Sequence, residues 1–447
     1  MTLEHDAAPD YIRMLLLPKD DPTAEIGQDA SLRKRRQNPR KWLDQIADLA
    51  NLDSLRARLA RVGLVDVGVP QRRADARQQA RASEDEAGVF DVLPTVGGFA
   101  ARFASERALE QARHELGDRM LFIPDVYAEP APPSRHPIDP DEDPDRRLLW
   151  PKESGIAMAH RDAVKGDNVL VGILDTGVDA DHEVFRKIEI EFRYISHAVV
   201  FYDENPRDIR GFDVDGHGTH VTGLLAGDPI GVAPRSSIHV AAVIESETLR
   251  TSLMRTAYGL DWLFQQFSKR GNAHRQTVVN LSLGFDPGRI KPEDREYLDD
   301  VLPRFIQALA AHDTLMVAAA GNGALRGGAV TVPARFDEVL AVGAADWEGQ
   351  RAAFSAVDAG SAKPDIYGYG VDVLSSYERD KSGRSLYRAL DGTSMAAPYV
   401  AGIAALLRCE NPRASAKDVR EHLLHTARTG IDGISIAAFE HWPDRKS

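Results

Sequence analysis

The run Val169-Leu170-Val171-Gly172-Ile173-Leu174-Asp175-Thr176-Gly177 decides how the chain folds. An unbroken apolar stretch, rich in β-branched residues and closed by Asp and Gly, marks a strand buried on both faces; a half-exposed strand would alternate. Comparable short runs recur at 238–244, 277–283, 314–319 and 339–342, with long helix-compatible segments between them. That rhythm predicts an α/β fold, a mainly parallel β-sheet sandwiched between helices. Active sites of open α/β sheets collect at the C-terminal edge of the strands, where Asp175 falls.

Three further stretches carry chemistry. In Asp215-Gly216-His217-Gly218-Thr219-His220-Val221, glycines flank an imidazole at the start of an apolar helix face, a placement suited to proton transfer. His217 and His220 lie on one helical face, but no Glu at metalloprotease spacing follows and no Cys assists, so His220 is expected to be packed rather than a zinc ligand. In Asp391-Gly392-Thr393-Ser394-Met395-Ala396-Ala397-Pro398 a small-residue turn feeds a long apolar helix, which puts Ser394 where a developing oxyanion is favoured. In Ala320-Gly321-Asn322-Gly323 a side-chain amide follows another apolar run. Each residue alone has a bland reading as a cap or turn residue; the combination does not.

Asp-Thr-Gly at 175–177, His-Gly-Thr-His at 217–220, Gly-Asn-Gly at 321–323 and Gly-Thr-Ser-Met-Ala-Ala-Pro at 392–398 resemble, in that order, the subtilisin-like serine peptidases. Gly231-Val232-Ala233-Pro234, Val279-Asn280-Leu281-Ser282-Leu283-Gly284 and Val332-Pro333-Ala334 extend the resemblance, which covers about residues 150–430. It implies a serine endopeptidase with Ser394 as nucleophile, His217 as general base and then acid, and Asp175 as the anchor of the imidazolium. Asn322 and the Ser394 N–H would form the oxyanion hole. Ser282, Leu283 and Gly284 would pair with extended substrate, and Ala319, Ala320 and Gly321 would wall the pocket for the side chain before the scissile bond. These small walls suggest a roomy pocket, leaning toward large apolar residues. No cofactor is required for the chemistry, and structural calcium stays open.

Upstream, 89–93 and 99–103 read as strands around a turn at Gly97-Gly98. Ser105 caps a helix with Leu109, Ala112 and Leu116 on one face, and 121–127 reads as a closing strand. This unit resembles, less specifically, the inhibitor-type propeptide of the same enzymes, with 11–17 as a first strand and a helix carrying Trp42, Ile46 and Leu49 on one face. The expected organisation is an N-terminal region 1–129 containing a small α+β propeptide-like domain (best match 89–129, charged insertion about 71–87), a Pro/Asp-rich linker and processing region 130–149, a peptidase domain 150–430 and a tail 431–447. The N-terminal domain would act as an intramolecular inhibitor of a self-processed zymogen.

The 447 residues are ample for two or three domains, and 43% hydrophobic with 28% charged residues is an ordinary globular composition. A net charge of -13 argues against nucleic acid, which needs a basic surface. Cys409, the one cysteine, excludes an intramolecular disulfide. No basic segment precedes a long apolar run and no stretch approaches about 18 apolar residues, so no membrane association and a cytoplasmic location are expected. The partners expected are protein or peptide substrates. A function from another class, a regulatory or binding protein with the N-terminal domain docked on a peptidase fold, is disfavoured by the complete set of motifs.

Overall fold

The structure, a computed structural model, describes residues 12–24, 39–67, 87–128, 134–135, 150–195, 210–244, 250–358 and 360–443. In the N-terminal part, β1 (Ile12–Pro18), β2 (Val65–Asp66), β3 (Gly88–Leu93), β4 (Gly98–Phe103) and β5 (Met120–Pro124) form one sheet in the order 2-3-4-1-5. β1 lies antiparallel between β4 and β5. Its unbroken apolar run follows from burial on both sides. Met14 and Leu16 face helices α2 (Leu52–Arg61) and α3 (Glu106–Leu116), while Leu15 and Leu17 face the rest of the protein. Ser105 caps α3 as expected, its Oγ accepting from the Ala108 N–H at 3.2 Å. Helix α1 (Pro39–Ala50) buries Trp42 and Ile46, but Leu49 is 48% exposed, and Ala50 takes its place on the packed face. The expected closing strand over 121–127 is split: β5 ends at Pro124, and β6 (Tyr127–Ala128) leaves the sheet to pair elsewhere.

The larger part is built on β8 (Val169–Asp175), β9 (Ile190–Tyr194), β10 (Ser237–Ala242), β12 (Gln276–Leu281), β13 (Leu315–Ala319), β14 (Val339–Ala345) and β15 (Ile366–Tyr369), all parallel. With β18 (Arg428–Thr429) and β19 (Ser435–Ile436) at one edge, the sheet order is 18-19-15-14-13-12-8-10-9. Val169, Val171 and Ile173 of β8 face one core, with α5 (His217–Ala226) and α8 (Thr393–Glu410). Leu170 and Leu174 face the other, with α6 (Leu253–Phe267) and α7 (Pro292–Ala311). Two-sided burial is why these strands read as continuous apolar runs. The chain crosses to opposite sides of β8 at β10 and β12, which makes the end of β8 a topological switch point.

α6 and α7 are covered in turn by the N-terminal sheet: Leu15, Leu17, Ala100 and Ile123 share a core with Leu260, Phe264, Leu302 and Phe305. Each such Leu, Ile or Phe side chain contributes about 1.5–3 kcal/mol on full burial, so this is a firm interface rather than a loose contact. The charged stretch 71–86 and most of 130–149 lie outside the described residues. Within the latter, β7 (Ser134–Arg135) pairs with β17 (Leu386–Asp391), a backbone role that the Pro/Asp-rich composition did not suggest. β17 also pairs with β16 (Val373–Tyr377). Among the described residues no helix is long and apolar enough to cross a membrane.

Candidate active site

Asp175 ends β8 completely buried, and its Oδ1 accepts from the Thr176 N–H at 2.7 Å. The same oxygen lies 2.6 Å from Nδ1 of His217, the first residue of α5. The glycines beside His217 are there for space. Gly216 has φ +91 and its Cα faces the ring of Tyr377, while a Cβ at Gly218 would collide with the Gly177 backbone. The Gly218 N–H donates to Thr176 Oγ1 at 2.8 Å, and Asp213 Oδ2 accepts from both the N–H and the hydroxyl of Thr219 at 2.6 Å. The start of α5 is thereby fixed against the end of β8. Burial opposes the charged form of His217, but the charge and hydrogen bond of Asp175, with Asp215 and Asp213 beyond, outweigh it and hold the imidazole above its ordinary value. Burial and the neighbouring His217 push His220 down to about 3. Neutral His220 donates from Nε2 to the carbonyls of Val373 and Arg388, both at 2.9 Å, tying β16 and β17 to α5. This packing role matches the expectation for His220.

Ser394 stands in the first turn of α8, 6% exposed. Its hydroxyl donates to the carbonyl of Ser282 at 3.1 Å, and the Ser282 hydroxyl donates back to the carbonyl of Ser394 at 2.9 Å. This reciprocal pair locks the segment Ser282-Leu283-Gly284 to the start of α8. The Ser394 hydroxyl therefore rests on Ser282. Asn322 is oriented by Thr393: its Oδ1 accepts from the Thr393 N–H and the Thr393 hydroxyl, both at 2.9 Å. Thr393 Oγ1 also accepts from the Gly321 N–H at 3.0 Å. With the carboxamide oxygen committed as an acceptor, Nδ2 is the end of Asn322 that can donate.

The contacts the structure makes are pairwise: Asp175 with His217, Ser394 with Ser282, and Asn322 with Thr393, the residue before Ser394. Sequence reasoning missed Thr393 as the residue orienting Asn322, Asp213 as the acceptor for Thr219 in the first turn of α5, and Thr331, which packs against Gly284 and Gly321. The first two adjoin motifs already read and were open to a capping argument; no signal in the sequence pointed to Thr331. Among the described residues no group of three or more His, Cys, Asp or Glu side chains is arranged to hold a metal ion.

The N-terminal part meets this edge on two sides. β6 pairs antiparallel with β11 (Thr251–Ser252), and β7 pairs with the end of β17, Ser134 opposite Asp391 and three residues short of Ser394. Asp125 Oδ1 accepts from the Met254 N–H at 2.9 Å, at the start of α6. In the opposite sense the Thr95 N–H donates to Asp261 on α6 at 3.0 Å. Burial pushes each of these carboxyls up to about 6.

The subtilase family profile matches residues 166–440. The subtilisin-like protease PopC of Myxococcus xanthus (strain DK1622) is 46% identical over 354 residues, covering 76% of this chain and 74% of its own length. Subtilisin DY of Bacillus licheniformis is 34% identical over 270 residues, covering 59% of this chain and 85% of its own. A crystal structure described as a cold adapted subtilisin-like serine proteinase is 27% identical, covers 63% of this chain and 91% of its own, and has a TM-score of 0.48. The family match spans most of the parallel-sheet body and its site, and the chain belongs to the subtilase family of serine peptidases.

Proposed function

We propose that the chain hydrolyses peptide bonds of protein or peptide substrates through Asp175, His217 and Ser394 and an acyl-enzyme intermediate. Ser394 Oγ attacks the scissile carbonyl carbon and its proton passes to His217 Nε2. The oxyanion is held by Asn322 Nδ2 and the Ser394 N–H. The carbon–nitrogen bond then breaks as His217 returns the proton to the leaving amine, and water hydrolyses the ester by the same route. Ser282, Leu283 and Gly284 would pair with the substrate backbone, and Ala319, Ala320 and Gly321 would flank the side chain before the scissile bond. The observation that carries this reading is the 2.6 Å bond from His217 Nδ1 to buried Asp175, which fixes the tautomer with Nε2 open to accept a proton. Labelling by a fluorophosphonate after removal of residues 1–149 tests it: Ser394 should be modified, and Ser394→Ala should not react.

The N-terminal region 1–129 acts, in this account, as a propeptide-like inhibitory domain in front of a processing region 130–149, a peptidase domain 150–430 and a tail 431–447, in a cytoplasmic zymogen. Support comes from the chain being held on both sides of the site, at β6 with β11 and at β7 with β17. Self-cleavage would fall within the processing region 130–149.

A further inference from the structure

Strand β16 ends in Ser375-Ser376-Tyr377, three hydroxyl-bearing residues in a row, and all three are buried. Buried hydroxyls need acceptors, and each of these finds one on the stretch that carries His217. Ser375 Oγ donates to the carbonyl of His220 at 2.9 Å, Ser376 Oγ to that of Thr219 at 3.0 Å, and the Tyr377 hydroxyl to that of Asp215 at 2.6 Å. The first two acceptors lie inside α5, whereas Asp215 lies ahead of it: the helix ladder begins with the His220 N–H on the carbonyl of Gly216 at 3.0 Å. The Thr219 N–H, which in a longer helix would reach back to Asp215, is committed to Asp213 Oδ2. The Tyr377 hydroxyl thus grips the backbone two residues before the imidazole, where the helix does not. Its ring grips the residue between. Gly216 has φ +91, and a Cβ there would collide with the Tyr377 ring, so the ring fills the space that a side chain at 216 would take. The Arg388 guanidinium lies 5.2 Å from the centre of the same ring. Asp175 holds the imidazole from β8 and Tyr377 holds the turn before it from β16, so strands of two separate sheets fix the base between them.

We infer that Tyr377 is a positioning residue for the general base: its hydroxyl and ring fix the Asp215-Gly216 turn so that the His217 imidazole stays against Asp175. The inference rests on the peptidase account for the proton transfer assigned to His217. A turn freed from Tyr377 would let the imidazole drift from its carboxylate, which weakens the base and misaims it together.

The first test needs no activity. In the full chain carrying Ser394→Ala, the titration of His217 is followed by NMR of protein labelled at the histidine nitrogens, its signal identified by loss in His217→Gln. The charged groups around the imidazole are Asp175 of β8, Asp213 and Asp215 ahead of α5, and His220 of α5, with Arg388 of β17 beside the Tyr377 ring; Tyr377→Phe leaves all of them in the chain. In Tyr377→Phe the midpoint of His217 should fall by about 0.5 to 1 pH unit as the contact with Asp175 loosens. Ser376→Ala, which strips a hydroxyl from a carbonyl inside α5, should lower the unfolding temperature and leave the midpoint in place. The second test follows removal of residues 1–149 from the folded enzymes that retain Ser394. Well above both midpoints, Tyr377→Phe should react with a fluorophosphonate about tenfold more slowly than the enzyme with Tyr377, short of the roughly 100-fold that a 1 Å misplacement costs. Tyr377→Leu, which lacks the ring as well, should fall further in both readings. A midpoint that stays or rises in Tyr377→Phe, or labelling as fast as that of the enzyme with Tyr377, overturns the inference whatever the change in unfolding temperature. Failure of the processed wild type to label at Ser394 overturns the peptidase account itself, a result that the titration of His217 does not share.

Discussion

Asn322 and Thr393 are joined by two hydrogen bonds, the carboxamide oxygen of Asn322 accepting from both the N–H and the hydroxyl of Thr393 at 2.9 Å. The pair decides which end of the amide faces the reacting carbonyl, because with Oδ1 committed only Nδ2 is left to donate. Asn322→Ala should lower kcat by about 10²- to 10³-fold with little change in KM, a magnitude that is subtilisin's own rather than one computed from this geometry. Thr393→Val, which removes only the orienting hydroxyl, should cost less than Asn322→Ala but act on kcat in the same way. A Thr393→Val enzyme altered in KM alone would show that the pair serves binding instead.

His217 is held above the ordinary imidazole value, and the base must be neutral to accept the proton of Ser394. The rate of fluorophosphonate labelling against pH should therefore rise with a midpoint above 6.5. Asp215→Asn removes one of the negative charges that favour the imidazolium, so the midpoint should move to lower pH. A shift to higher pH, or none in Asp215→Asn, would contradict the electrostatics given for the site.

Asp125 and Asp261 lie on opposite sides of the contact between the N-terminal sheet and α6, each pushed up to about 6 by burial, with Ser252, Arg13 and Arg255 near the first and Thr95 and Gln265 at the second. Separating the two parts would return both carboxyls to water and to the ordinary range near 3.8. The docked form therefore binds protons more tightly. Docking is strongest near pH 4 and weakens as the pH rises through about 6, by at most on the order of 3 kcal/mol per carboxyl. Hydrogen exchange at the Thr95 amide, corrected for its intrinsic pH dependence, should speed up over that interval, and Asp261→Asn should flatten the rise. Protection that grows with pH would refute the linkage.

Lys363 sits where a bound cation would otherwise suit the oxygens around it. Its buried Nζ donates to the carbonyls of Phe336 (3.1 Å) and Val339 (2.9 Å) and to the carboxylate of Asp365 (2.8 Å). Lys363→Ala removes the donor from the two carbonyls, while Asp365 keeps Arg420 (3.0 Å) and the Ala341 N–H (2.7 Å), and should lose about 1–3 kcal/mol in denaturant unfolding. Millimolar calcium should restore part of the loss in the variant, since two carbonyls and a carboxylate are hard-oxygen ligands. A loss below about 1 kcal/mol would mean that water replaces the ammonium without difficulty.

The sequence made the parallel sheet and the four chemical stretches legible because each was a local pattern: an apolar run buried on two sides, followed by a turn that needs glycine. Positions set by distant segments were not legible. Leu49 has the helical spacing of a core residue, yet it is exposed while its neighbour Ala50 is buried. Ser134 and Arg135 lie in a Pro/Asp-rich stretch that resembles a linker, and only the edge of β17 makes them a strand. Thr331 carries no motif, and its place between Gly284 and Gly321 exists only after β12 and β13 have brought those glycines together. Asp125 and Asp261 look like ordinary surface acids until α6 meets the N-terminal sheet.

The most direct test of the central claim is the intact mass, followed over time, of wild type and Ser394→Ala purified from Met1 onward. The account predicts that wild type alone breaks, within the processing region 130–149, while Ser394→Ala stays full length under the same conditions. Cleavage of both proteins at the same bond, or of neither, would contradict the claim that Ser394 processes its own N-terminal region.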